Sequence, residues 1–178
     1  MRPCAVGAAS ALRKREPRMA RFRPGRLMRR RKPAGAALRI FRDGCGPLLP
    51  DCSSVPFNDL AALERALAGK QVAAFFVEPI QGKGVNMPDD GYLAGALALC
   101  RKYGTLFVAD EIQTGMGRTG KFLAVEHWGV EPDMVMLAKP LSGGYVPFGA
   151  VLARRWIFDK VFNRMDRAVV HGSTYSKN

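Results

Sequence analysis

Three short apolar runs, each closed by an ionisable residue, constrain the fold of this chain more than any other feature. Residues 72–77 lead into Glu78, residues 105–109 into Asp110, and residues 134–138 into Lys139. Apolar stretches of this length, without polar alternation, are what a strand covered on both faces requires. Helix signals separate them. Asp59 is placed to cap a helix with Leu60, Leu63 and Leu67 on one face and Gly69 as its stop. Asp89 or Asp90 opens a second, with Leu93, Ala96, Leu97 and Cys100 on the buried face and Gly104 at the end. Buried strands alternating with helices predict an α/β fold with a mainly parallel sheet and flanking helices. One further strand is expected at 149–153 and a helix at 156–162.

Ligands of such sheets sit beyond the carboxyl ends of the strands, and Glu78, Asp110 and Lys139 all stand there. A lysine at a strand end is ordinarily a surface residue, and an aspartate before a loop is ordinarily a turn former. Three ionisable groups converging on one rim are different. Each is costly to desolvate alone, so they require one another or a bound group. An amine can condense with a carbonyl to form a Schiff base. A carboxylate can hold the protonated ring nitrogen of pyridoxal 5'-phosphate (PLP), which makes that cofactor an electron sink. Asp110 and Lys139 are the residue types such a site needs.

The net charge of +13 invites a search for a polyanionic partner, but it is unevenly placed. Residues 1–43 hold 14 Lys/Arg against 2 Asp/Glu, and residues 44–178 hold 14 against 13. The excess belongs to an arm over 1–40, rich in Arg, Ala, Gly and Pro, which is expected to be disordered and separate from the domain over 41–178. Phe22 is its one aromatic residue and no nucleic-acid motif is present. Specific nucleic-acid binding is therefore not expected, and salt-sensitive polyanion binding through the arm is the weaker alternative function. Four cysteines without a Cys-x-x-Cys pair or metal spacing point to reduced thiols, no metal site and a cytoplasmic location. No run approaches the roughly 18 apolar residues that would cross a membrane.

Four segments occur in order: 78–82 (Glu-Pro-Ile-Gln-Gly), 110–120 (Asp-Glu-Ile-Gln-Thr-Gly, then Gly-Arg-Thr-Gly), the Lys139 segment, and 171–175 (His-Gly-Ser-Thr-Tyr). Together they closely resemble class III PLP-dependent aminotransferases, the ornithine, acetylornithine and ω-amino acid group, from about Phe41 to Asn178. The resemblance implies the large domain of a fold type I transferase and transfer of an amino group from an amino acid or ω-amine to a 2-oxo acid. It makes Lys139 the Schiff-base and proton-moving residue, Asp110 the partner of the pyridinium nitrogen, and Gln113 a hydrogen-bond partner near the phenolic oxygen. Ser173 and Thr174 match the position that reaches the phosphate of the neighbouring subunit's cofactor in a homodimer, and Glu78 supports the site. Two departures stand out. Pro140 follows the lysine where relatives carry a small or hydroxylated residue, and proline favours extended backbone at the residue before it. Lys83 replaces a glutamate found in many relatives.

The resemblance covers only the middle of a family member. The glycine/serine phosphate turn and ring-stacking aromatic expected upstream are not matched in 1–40, and the small domain expected downstream is not reached. The abrupt change of texture near Phe41 is what a shifted reading frame in GC-rich DNA would give. A non-catalytic remnant of such an enzyme is therefore the alternative to an active transaminase, and the identity of donor and acceptor is not legible.

Overall fold

Phe75 and Val77 on one strand and Phe107 and Ala109 on the next alternate toward the same two helices, and this stripe organises the fold. The computed structural model describes residues 9–13 and 51–165. In chain order these form β1 (Ala9–Arg13), β2 (Cys52–Val55), α1 (Leu60–Leu67), β3 (Val72–Val77), α2 (Tyr92–Tyr103), β4 (Leu106–Asp110), β5 (Met134–Leu137), β6 (Ala150–Ala153) and α3 (Arg155–Val161). Short 3-10 turns occupy Ala124–Trp128 and Lys139–Ser142.

The fold is α/β, with strand order β2-β1-β3-β4-β5-β6. The parallel part is its centre, β3 beside β4 beside β5. Antiparallel pairs flank it: β6 along β5, and β1 along both β3 and β2. β1 lies in the stretch expected to be a disordered arm, so for Ala9–Arg13 that expectation is corrected. Ser-Ala-Leu at 10–12 offers too little apolar area to announce a strand, and its place between β2 and β3 is set by ladder hydrogen bonds rather than by local pattern.

α1 starts where Asp59 Oδ1 accepts a hydrogen bond from Ala62 N at 2.8 Å, satisfying one of the donors a helix start leaves open. Its Leu63 and Leu67 are fully buried against α2, whose Leu93, Ala96 and Cys100 are likewise sealed. α2 begins after Gly91 rather than at either aspartate, and Gly104 ends it in the left-handed region at φ 64°, where glycine carries no steric penalty. Phe75 and Phe107 meet edge to face, ring centroids 5.9 Å apart, a favoured quadrupole arrangement. Val151, Leu152, Trp156 and Phe158, on β6 and α3, are exposed. No helix among the described residues is long and apolar enough to cross a membrane.

Candidate active site

The register of the central strands brings two carboxylates side by side. Phe76 pairs with Val108 and Val77 with Ala109 in the parallel β3–β4 ladder, so one step further Glu78 follows beside Asp110. Because successive side chains alternate, both lie on the face turned away from the Phe75–Phe107 stripe. Met136 of β5 is Asp110's other neighbour in register. Chain geometry thus accounts for the pairing of Glu78 with Asp110 without any local motif.

Each carboxylate is tied to the loop that follows it. Glu78 Oε2 accepts from Gly82 N at 2.7 Å, which curls the chain after β3. Beyond it, Gln81 and Asn86 pair across a tight hairpin. Asp110 Oδ1 accepts from Ile112 N at 3.1 Å, turning the chain after β4. Burial holds the carboxyls of both Glu78 and Asp110 above their ordinary values, the backbone hydrogen bonds and the Lys139 charge opposing it. For Glu78 the nearby Asp110 adds to the rise.

Lys139 does not close β5, which ends at Leu137; it opens the following turn. Leu141 N donates to Ala138 O at 3.0 Å across it. The extended backbone expected ahead of Pro140 is not what forms. Lys139 has φ 40°, a left-handed value that is strained for a residue with a side chain. The demands of a turn closed within four residues override the pre-proline preference. Lys139 Nζ donates to Gln113 Oε1 at 2.7 Å, and its charge reaches both Glu78 and Asp110. Four residues singled out by sequence, Glu78, Asp110, Gln113 and Lys139, therefore meet at one rim. Ser173 and Thr174 lie outside the described residues.

Glu111 has a structural role that its residue type and motif do not announce. It is fully buried, next to Asp110 but on the opposite face. Oε1 accepts from Val125 N at 2.9 Å, and Oε2 accepts from the Thr114 hydroxyl. Its own N–H continues the ladder to Met136 O at 3.0 Å. Glu111 thereby pins both ends of the 112–124 loop that carries Gln113. The available signal was its position. A residue directly after the apolar β4 and out of phase with Asp110 faces the core, so its charge requires partners, and Thr114 stands three residues on.

The half-buried carboxylates give a pH dependence with a definite sign. Glu78 and Asp110 bind protons more tightly folded than unfolded, so their contribution is complete below the ordinary values of 4.5 and 3.8. It is lost as pH rises through the raised folded values. Glu78→Gln keeps an acceptor for Gly82 N while removing the charge. Its melting temperature is expected to exceed that of the parent near neutrality, with a gap that closes on acidification toward 4.5. Thermal unfolding across a pH series checks this.

An α/β sheet with an amine and two carboxylates gathered at its carboxyl rim has them where such sheets hold their ligands. Residues 36–178 match the family described as aminotransferase class-III, and the chain belongs to that family. It is 53% identical over 137 residues to mitochondrial ornithine aminotransferase of Rattus norvegicus, covering 76% of this chain and 30% of the relative. Among solved structures, the ornithine aminotransferase of Toxoplasma gondii matches with TM-score 0.71 and 45% identity over 78% of this chain and 32% of that one. That structure has partial occupancy of PLP at its active site. Acetylornithine aminotransferase from Elizabethkingia anophelis matches with TM-score 0.64 and 46% identity, over 75% of this chain and 33% of its own. The chain spans about a third of the length of these relatives.

Proposed function

We propose that this chain forms the cofactor-holding part of a PLP-dependent transaminase, which moves an amino group from an amino acid or ω-amine to a 2-oxo acid. The observation that carries the reading is the Lys139 amine held by Gln113 within reach of the Asp110 and Glu78 charges, in a chain of the class-III family. The donor set fits the cofactor. A lysine amine matches an aldehyde, a desolvated carboxylate matches a protonated ring nitrogen, and a carboxamide offers both donor and acceptor to a phenolic oxygen. When bound, PLP supplies the electron sink for chemistry at the amino acid's α carbon.

The chain's own residues have distinct tasks. Asp110, half-buried and tied by Ile112 N, would hold the ring nitrogen of the cofactor and favour its protonated form. Gln113 orients the Lys139 amine through its Oε1, and its amide donor would be left for the ring oxygen. Lys139 Nζ takes and returns a proton at the substrate's reacting carbon, the general acid–base role open to an amine at such a site. Glu78 fixes the 78–88 loop through Gly82 N. A homodimer in which Ser173 and Thr174 reach the partner's cofactor phosphate rests on the resemblance of residues 171–175 alone.

Ornithine, the amino acid in the names of several relatives, is the first donor to assay, with a 2-oxo acid acceptor and added PLP. Amino transfer that disappears in Lys139→Ala supports the proposal. Cofactor capture without transfer would select a second reading, a binding remnant that lacks turnover.

A further inference from the structure

We propose that Gly82 is a positioning residue for Lys139, acting through Gln113: the missing side chain at position 82 is the slot that seats the carboxamide against the lysine amine. The inference deepens the transaminase reading and rests on it for the importance of Lys139. Gly82 is fixed by its N–H bond to Glu78 Oε2 at 2.7 Å. A Cβ added there would lie 2.7 Å from Gln113 Cδ and 2.8 Å from its Nε2, well inside van der Waals contact. The same carboxamide accepts from Lys139 Nζ at 2.7 Å. The loops after β3 and β4 are thus interlocked by an absent methyl group, and the lysine of the third loop is tied to them.

Two features separate this from ordinary packing of a glycine. Gly82 does not have a left-handed φ, so its backbone accepts alanine without strain. Moreover, the three atoms nearest to the added methyl all belong to the Gln113 carboxamide, the end of a flexible side chain. The substitution therefore evicts the carboxamide and leaves the backbone in place. Gly115 shows the contrast: there a Cβ would lie 2.8 Å from the backbone oxygen of Glu111 and 2.8 Å from Cδ2 of the buried Leu137. Position 82 controls a side chain, whereas position 115 controls the core.

The test uses the full chain without cofactor, in four forms: parent, Gly82→Ala, Gln113→Ala and the double variant. Each is trace-labelled with acetic anhydride across the alkaline pH range, and acylation of every lysine is quantified by peptide mass mapping. Glu78 and Asp110, the titratable groups facing Lys139, are retained in all four. Losing the Gln113 acceptor frees the amine, so Lys139 labelling is expected to rise roughly threefold in either single variant. Lys121 and Lys102 serve as internal references that do not change. In the Gln113→Ala background, Gly82→Ala adds nothing, because its effect runs through the removed side chain. Unchanged Lys139 labelling in Gly82→Ala overturns the proposal, and so does an equal increment in both backgrounds. Loss of a cooperative melting transition in Gly82→Ala also overturns it, since the backbone would then be what the glycine serves. None of these readouts needs PLP, so a failure of the cofactor reading, seen as no adduct on Lys139, is distinguishable from a failure of this one.

Discussion

Replacing Asp110 with asparagine is expected to weaken PLP binding roughly a hundredfold while raising the melting temperature of the cofactor-free protein at neutral pH. The two effects share one cause. Burial at the end of β4 raises the Asp110 carboxyl above its ordinary value, which means that the ionised form is poorly solvated in the folded chain. That charge is a cost until a cationic N–H arrives to pair with it. Asparagine preserves an acceptor for Ile112 N but offers no charge to a pyridinium. Absorbance titration with PLP measures the first effect. The gain in melting temperature should shrink as pH falls toward the ordinary aspartate value of 3.8, where the parent's own carboxyl takes up its proton. A variant that loses stability at neutral pH would show that Asp110 serves the fold rather than a cofactor.

Glu111→Ala is expected to act through the fold instead, lowering stability by about 3 kcal/mol. Removing the side chain strands Val125 N–H and the Thr114 hydroxyl in the interior and leaves a void where a fully buried side chain stood. Glu111→Gln keeps the shape and the Val125 bond, and the Thr114 hydroxyl can turn to accept from the new amide. Its cost should stay near 1 kcal/mol. Urea unfolding of both variants checks the ratio. Because the 112–124 loop is anchored at both ends by Glu111, the alanine variant should also release Gln113 from Lys139. An adjacent pair of acidic residues thus divides its labour: Asp110 is costly to the apo fold and Glu111 sustains it.

How far the sequence announced this arrangement depends on how local each cause is. The apolar runs of β3, β4 and β5 and the leucine faces of α1 and α2 were legible, because burial on both faces, or on one helical stripe, writes itself into residue order. The convergence of Glu78, Asp110 and Lys139 was legible for a related reason, since parallel strands bring their carboxyl ends to one rim. The antiparallel β1 and β6 were not signalled as such. Strand direction is decided by long-range pairing, and Ser-Ala-Leu in β1 has no pattern of its own. The left-handed φ of Lys139 was misread because Pro140 states only a local preference, whereas the turn from Ala138 to Leu141 imposes the backbone. Glu111 and Gly82 were hidden inside recognisable motifs. Their partners, Val125 N and the Gln113 carboxamide, come from other segments and become visible only once the loops are folded together.

On the proposed function, Lys139 is the amine of a PLP site assembled by Asp110 and Gln113. Its most direct test is to titrate the chain with PLP, reduce with borohydride and map the modified peptides by mass. A single pyridoxyl group is expected, on Lys139, that vanishes in Lys139→Ala and weakens sharply in Asp110→Asn. Label scattered over many lysines, or a parent chain with none on Lys139, would contradict it.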